Sequence, residues 1–159
     1  MKKKGHTTQI QAGMICKKLD HLAATFLLLK HLIGGSTDGL LDFIDANLPA
    51  GVPSKIKTKV DVLGLMENFC AGIGEQLLTL GKRISSADLD DPDAWQDINM
   101  DFCGLYGCVQ FMHTFDGGDS DSTTSRFVSF CVYAAQRADE LFAAWGEMEP
   151  SGPRLSAVP

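Results

Sequence analysis

The sequence lacks an apolar run long enough to cross a membrane. The charge-free run in the first apolar segment, residues 22–29, is far shorter than the ~20 residues that a membrane-spanning helix needs. The segment from Val60 to Leu80 is longer, but it is interrupted by Asp61, Glu67 and Glu75. At the N-terminus, three lysines precede the polar residues 5–11 in place of the apolar part of a secretion signal. We therefore expect a cytoplasmic protein that makes no contact with a membrane.

The sequence also lacks a disulfide framework. Its five cysteines are an odd number, scattered along the chain as Cys16, Cys70, Cys103, Cys108 and Cys131. This distribution is typical of a reducing compartment. Cys103 and Cys108 are five residues apart, so on a helix they point in different directions and do not suggest a shared metal. We expect most of these thiols to be small buried hydrophobic side chains.

No group of residues has the spacing of a catalytic or cofactor site. No two of the four histidines are separated by the three or four residues that zinc-binding helices use. The segment 72–74 has two glycines but lacks the third glycine and the preceding strand of a phosphate-binding loop. The sequence predicts no enzyme, no cofactor and no metal site. Binding of a cation by the acidic loop from Asp116 to Asp121 stays open.

The sequence contains several apolar stripes with helical spacing instead. Between Ser54 and Ile84, apolar residues recur every three or four positions, which places them on one face of a helix. Similar stripes run from Ile15 to Ile33, from Trp95 to Met112 and from Phe127 to Trp145. No strand-like alternation is long enough to compete with them. The pattern predicts an all-α fold, a mostly antiparallel bundle of four main helices plus one short helix.

Capping and helix-breaking residues set the predicted boundaries. Thr8 with Gln11 forms a capping box for the first helix, and Asp91 with Pro92 is typical of the start of the fourth. Glycines within the third helix predict either close approach of a neighbouring backbone or a kink. We expect a single helical-bundle domain over residues 8–149, a flexible basic lead over residues 1–7 and a flexible tail over residues 150–159.

Charge is distributed unevenly along the chain. The net charge is −6, yet residues 1–59 contain nine lysines and four acidic residues, whereas residues 60–159 contain five basic and sixteen acidic residues. Such asymmetry steers charged partners or lets two copies associate head to tail. The basic residues of the first 59 positions are all lysines, with no arginine, and the isoelectric point of the whole chain is about 5.0. Both observations argue against direct binding of nucleic acid.

These features favour a non-enzymatic protein that works by protein–protein interaction, as a regulator or inhibitor. Its acidic surface is suited to a basic groove on a nucleic-acid-handling partner, where carboxylates compete with phosphates. The predicted partner-binding residues are Asp88, Asp90, Asp91, Asp93, Asp97, Asp101, Asp116, Asp119 and Asp121.

Two alternatives remain. The first and fifth helices offer broad apolar faces, so the chain could be an obligate homodimer with a structural or accessory role. The bundle could also hold a small ligand in a pocket framed by aromatic side chains, namely Trp95, Phe102, Phe127, Phe130 and Trp145.

Overall fold

The computed structural model describes residues 3–34, 38–47, 59–115 and 122–149. Within these ranges the chain is helical and contains no strand, so the predicted all-α fold with four long helices and one short helix is confirmed. The helices are α1 (Lys3–Gly34), α2 (Asp38–Asn47), α3 (Lys59–Ser86), α4 (Pro92–Gln110) and α5 (Ser122–Gly146), with a 3₁₀ helix (Phe111–Phe115) after α4. None of the described helices is long and apolar enough to span a membrane.

The most extensive helix pair is α1 with α3. The helices approach most closely at Gly74 of α3, where a Cβ atom would lie 3.4 Å from the carbonyl oxygen of Ala23, whereas one at Gly81 would make an ordinary contact of 3.9 Å with Leu19. The Cys16 thiol also donates to the carbonyl oxygen of Gly81 at 3.3 Å. Residues nearer the end of α1 therefore contact residues nearer the start of α3. The predicted close approach thus holds at Gly74, whereas a Cβ atom at Gly64 or Gly72 would meet nothing within 4 Å. α3 is one helix from Lys59 to Ser86.

The four long helices form a ring in the order α1, α3, α4, α5. Arg83 of α3 pairs with Asp101 of α4, while Trp95 of α4 stacks on Trp145 of α5 with ring centroids 5.6 Å apart. α5 closes the ring against α1, and α2 packs against α3 and α5. α1 and α4 consequently occupy opposite corners of the bundle, with α3 and α5 between them.

One continuous hydrophobic core joins all of these elements. The predicted stripes of α1 and α4 are fully confirmed, since every residue predicted for them is buried. Burial of a large apolar side chain such as Phe26 or Trp145 is worth about 2–3 kcal/mol, and this is the main driving force for the bundle. Thr25 is a buried polar residue, and its hydroxyl donates to the carbonyl oxygen of His21 at 3.0 Å.

Two predictions about local structure were wrong, and two others lie outside the described residues. α1 begins at Lys3 rather than at a capping box at Thr8, because the helix continues through Thr8 toward the N-terminus. The apolar pattern of α3 also predicts a second ridge beside the main stripe, formed by Val62, Leu65 and Phe69. Leu65 is nevertheless 52% exposed, and none of the described helices covers it. The start predicted for α3 at Ser54 and the tail over residues 150–159 lie outside the described residues.

Candidate protein-binding surface

The α3–α4 connection and the first three turns of α4 carry six of the nine predicted partner-binding residues. All six side chains are exposed, and we call this group the acidic surface: Asp88, Asp90, Asp91, Asp93, Asp97 and Asp101. The remaining three predicted residues, Asp116, Asp119 and Asp121, lie outside the described residues. The acidic surface is therefore defined here by the connection and α4 alone.

Two residues of the acidic surface hold the local backbone. Asp91 is the N-cap of α4, as predicted, and its carboxylate accepts a hydrogen bond from the backbone N–H of Asp93 at 3.1 Å. The carboxylate of Asp88 accepts from the backbone N–H of Asp90 at 3.2 Å. The bond to Asp93 satisfies an amide group that the start of a helix leaves without a partner, and the bond to Asp90 closes a local turn before the helix. Asp88 and Asp91 thus stabilise the backbone conformation of the acidic surface and also contribute negative charge to it.

The other four carboxylates point outward. Asp93, Asp97 and Asp101 follow one another at intervals of four residues, so they lie on successive turns of α4. Asp101 pairs with Arg83, whereas Asp93 and Asp97 form no ion pair with any described residue. Asp90 accepts a long hydrogen bond of 3.5 Å from the Thr8 hydroxyl of α1. The acidic surface therefore contains at least two carboxylates available for a cationic partner.

An open cleft of about 640 Å³ lies beside the acidic surface, between the first part of α1 and the α3–α4 connection. Its walls carry the hydroxyls of Thr8, Ser85 and Ser86 and the carboxylates of Asp88 and Asp90. Cys16 also lines the cleft, but burial and the nearby Asp20 raise the pKa of its thiol. Because the thiolate is the nucleophilic form, Cys16 is poorly suited to covalent chemistry near neutral pH.

The other cysteines divide into two groups. Cys70 and Cys131 are fully buried, and burial raises the pKa of Cys70 to about 12 and the pKa of Cys131 still further. Cys103 and Cys108 are exposed on α4, which corrects the expectation that most of the cysteines are buried. The reason is that both positions face away from the α4 stripe that packs into the core. Among the described residues, no group of three or more His, Cys, Asp and Glu side chains is arranged to hold a metal ion.

Three of the five aromatic side chains predicted to frame a ligand pocket, Trp95, Phe102 and Trp145, stack on one another. Trp145 stacks on both Trp95 and Phe102, and its indole N–H donates to the Asn99 side chain at 3.0 Å. The core cavity lined in part by Phe102 has a volume of about 10 Å³, which is the lower limit for a single water molecule. Phe127 is buried and Phe130 half-buried. This packing gives the small-ligand alternative no support.

A polar cluster joins α4 to α5 on the surface. The Tyr106 hydroxyl and the Gln110 amide both donate to one carboxylate oxygen of Asp139 at 2.8 Å. The hydrogen bond to Asp139 raises the pKa of Tyr106 because it favours the protonated phenol. Tyr106 also stacks on Phe142 with ring centroids 4.3 Å apart. These contacts help to fix the packing of α4 against α5.

Sequence reasoning missed the small and apolar residues beside the carboxylates of α4. Met100 is 59% exposed, and a Cβ atom at Gly104 or Gly107 would meet nothing within 4 Å. Their spacing from Asp93 and Asp97 was visible in the sequence, but only the packing shows that this face of α4 is uncovered.

A scan of known protein families, curated proteins and solved structures finds nothing that matches this chain.

Proposed function

We propose that this protein is a non-enzymatic binding protein that regulates or inhibits another protein through its acidic surface. The observation that carries the proposal is the row of exposed carboxylates on α4, in which Asp93 and Asp97 have no ion-pair partner among the described residues. Exposed charges of one sign speed association with a surface of opposite sign and select against partners of like sign.

The partner that fits this surface is a protein with a basic groove, such as one that binds nucleic acid. Asp93, Asp97 and Asp101 are four residues apart, about 6 Å along the axis of α4, and so form a row of like charges on one helix face, as phosphates do along a nucleic-acid strand. A rigid helix that presents carboxylates in this way competes with phosphates for the same lysine and arginine side chains. Inhibition would follow from occupation of the groove.

The acidic surface is tested by charge reversal at positions that do not hold the backbone. We choose Asp93→Lys with Asp97→Lys, and leave Asp91 intact because its loss would also remove the N-cap of α4. The matched control is Asp20→Lys with Glu75→Lys, which changes the net charge equally at exposed positions of α1 and α3. Circular dichroism checks that both double variants remain folded.

Binding is measured in two stages. Nuclease-treated lysate from the source cell is passed over immobilised wild-type protein and both double variants, and retained proteins are quantified by mass spectrometry. Each protein retained by the wild type and the control is then purified and titrated by calorimetry. We expect binding to weaken about tenfold or more in the α4 variant and to weaken in high salt. Equal affinity for the wild type and the α4 variant would refute the acidic contact.

Self-association is the second candidate, and the exposed apolar residues of α1 favour it. Ile10, Met14 and Leu28 are each more than half exposed. Apolar side chains repeated along one exposed helix face are typical of a surface that another molecule covers.

A further inference from the structure

α1 carries an outward stripe that the rest of the described chain leaves exposed. Its residues recur at alternating intervals of four and three, which keeps them on one helix face, and all are exposed: Ile10, Met14, Lys17, His21, Ala24 and Leu28. The apolar members Ile10, Met14 and Leu28 have exposed fractions of 55%, 57% and 54%. The α1 outer stripe thus combines apolar side chains with a basic centre, and it contains no acidic residue.

α4 carries an outward stripe with the same intervals. Its exposed members are Asp93, Asp97, Met100, Gly104 and Gly107. A glycine inside a helix costs about 1 kcal/mol relative to alanine, yet no neighbouring group within the described chain requires Gly104 or Gly107. Both glycines leave space for close approach from outside. The α4 outer stripe is acidic in its first half, small and apolar in its second half, and contains no basic residue.

The two stripes match when the helices are placed in opposite directions. If Lys17 faces Asp97, the shared intervals bring His21 to Asp93 at one end. Toward the other end they bring Met14 to Met100 and the bulky Ile10 side chain to the space at Gly104. Over these four positions basic residues meet acidic residues, and apolar residues meet apolar or small ones, while Ala24 and Leu28 lie beyond the start of α4 at Pro92. A symmetric pairing of either stripe with itself contains no ion pair, because each stripe carries charge of only one sign.

We propose that α1 of one copy of this protein docks in the opposite direction on α4 of a second copy. Because α1 and α4 occupy opposite corners of the bundle, one molecule presents both stripes at once and associates head to tail. This inference rests on the proposed function, since it assigns a second copy of the chain as one basic partner of the acidic surface. The two surfaces in contact are different, so the assembly is open-ended unless its rotation closes a ring.

The test is sedimentation velocity on the full chain at micromolar to millimolar concentrations, in low and high salt. The wild type is expected to grow from a 17.2 kDa monomer into dimers and larger species with concentration, and to dissociate in high salt. Lys17→Glu removes the basic centre of one stripe, and Asp97→Lys removes an acid of the other. For each variant alone, we expect the affinity of self-association to fall by about tenfold or more.

An equimolar mixture of the two variants distinguishes head-to-tail pairing from any other. The Asp97→Lys chain keeps an intact α1 stripe, and the Lys17→Glu chain keeps an intact α4 stripe. The glutamate introduced at position 17 of one chain also faces the lysine introduced at position 97 of the other, so the reversed ion pair restores the second contact. The mixture is therefore expected to regain the association and growth of the wild type, whereas neither variant does so alone. Lys82→Glu and Glu75→Lys make equal charge changes at exposed positions of α3 and are expected to associate like the wild type.

Three results would overturn the proposal: a wild type that stays monomeric, association that neither variant weakens, or a mixture of the two variants that associates no more strongly than either variant alone. Circular dichroism verifies that each variant is folded. A monomeric wild type would leave the proposed function intact, because that function is read from binding to a different protein. Loss of that binding in the Asp93→Lys, Asp97→Lys variant of a monomeric chain would support the acidic surface alone.

Discussion

Replacing Gly104 and Gly107 with alanine is expected to stabilise the protein. Both glycines lie inside α4, and a Cβ atom at either position meets nothing within 4 Å. Alanine restricts the unfolded chain more than glycine does, and the gain in a helix interior is about 0.8–1 kcal/mol per site. The double variant should gain about 2 kcal/mol in the free energy of unfolding, or roughly 4–8 °C in melting temperature for a chain of this size.

Gly74→Ala provides the matched comparison. Gly74 also lies inside a helix, but its Cβ atom would sit 3.4 Å from the Ala23 carbonyl oxygen and from the Leu27 side chain. Any adjustment of α1 away from α3 offsets the gain in helix propensity, so we expect a smaller gain than at Gly104 or a loss. The two cases have the same chemistry and differ only in the space around the new methyl group.

The assay is urea denaturation followed by circular dichroism, at low protein concentration and high salt so that self-association does not contribute to stability. The reasoning is refuted if the Gly104→Ala, Gly107→Ala variant unfolds at the same or a lower urea concentration than the wild type. It is also refuted if Gly74→Ala gains as much per site as the α4 variants.

Three further changes test the cap, the core and a buried thiol. Asp91→Ala should cost about 1 kcal/mol of unfolding free energy in urea denaturation, because the α4 N-cap is lost, whereas Asp97→Ala should cost almost nothing. Trp145→Ala should cost about 3–5 kcal/mol in the same assay, through the cavity it leaves beside Trp95. Burial raises the pKa of Cys70 from its ordinary 9.0 to about 12, so the unfolded chain loses this proton first. Stability should therefore fall by about 1.4 kcal/mol per pH unit as the pH rises between these values, and Cys70→Ala should remove that part of the slope.

Local sequence signals predicted α4 well because everything that determines it is close in the chain. Asp91 and Pro92 start the helix, and the stripe from Trp95 to Met112 buries one face. The start of α1 was predicted too late because a capping box at Thr8 is compatible with a helix that simply continues through it. Periodicity also overestimated the apolar face of α3: it gives the width of a stripe, but only a neighbouring helix determines whether Leu65 is covered.

The carboxylates of the candidate site could be read from the sequence, but their separate roles could not. Asp91 and Asp97 are the same residue type in the same acidic region, yet one caps a helix and the other is exposed without an ion pair among the described residues. The pairing of Asp101 with Arg83 joins residues on different helices, so it depends on how α3 and α4 pack. Charge reversal at the whole cluster would mix these roles, which is why the experiments above target Asp93 and Asp97.

Because of the order of the helices in the bundle, the uneven distribution of charge along the sequence becomes an uneven distribution of charge on the surface. If α1 and α4 were neighbours, the lysines of the first helix and the aspartates of the fourth would pair within one molecule. The bundle instead places α3 and α5 between them, and Arg83 is the one described cation that pairs with the acidic surface. The outward-facing charge of α1 and of α4 therefore lies at different corners of the bundle, where a charged partner can reach it. This separation of charge is why we propose a function in binding another molecule.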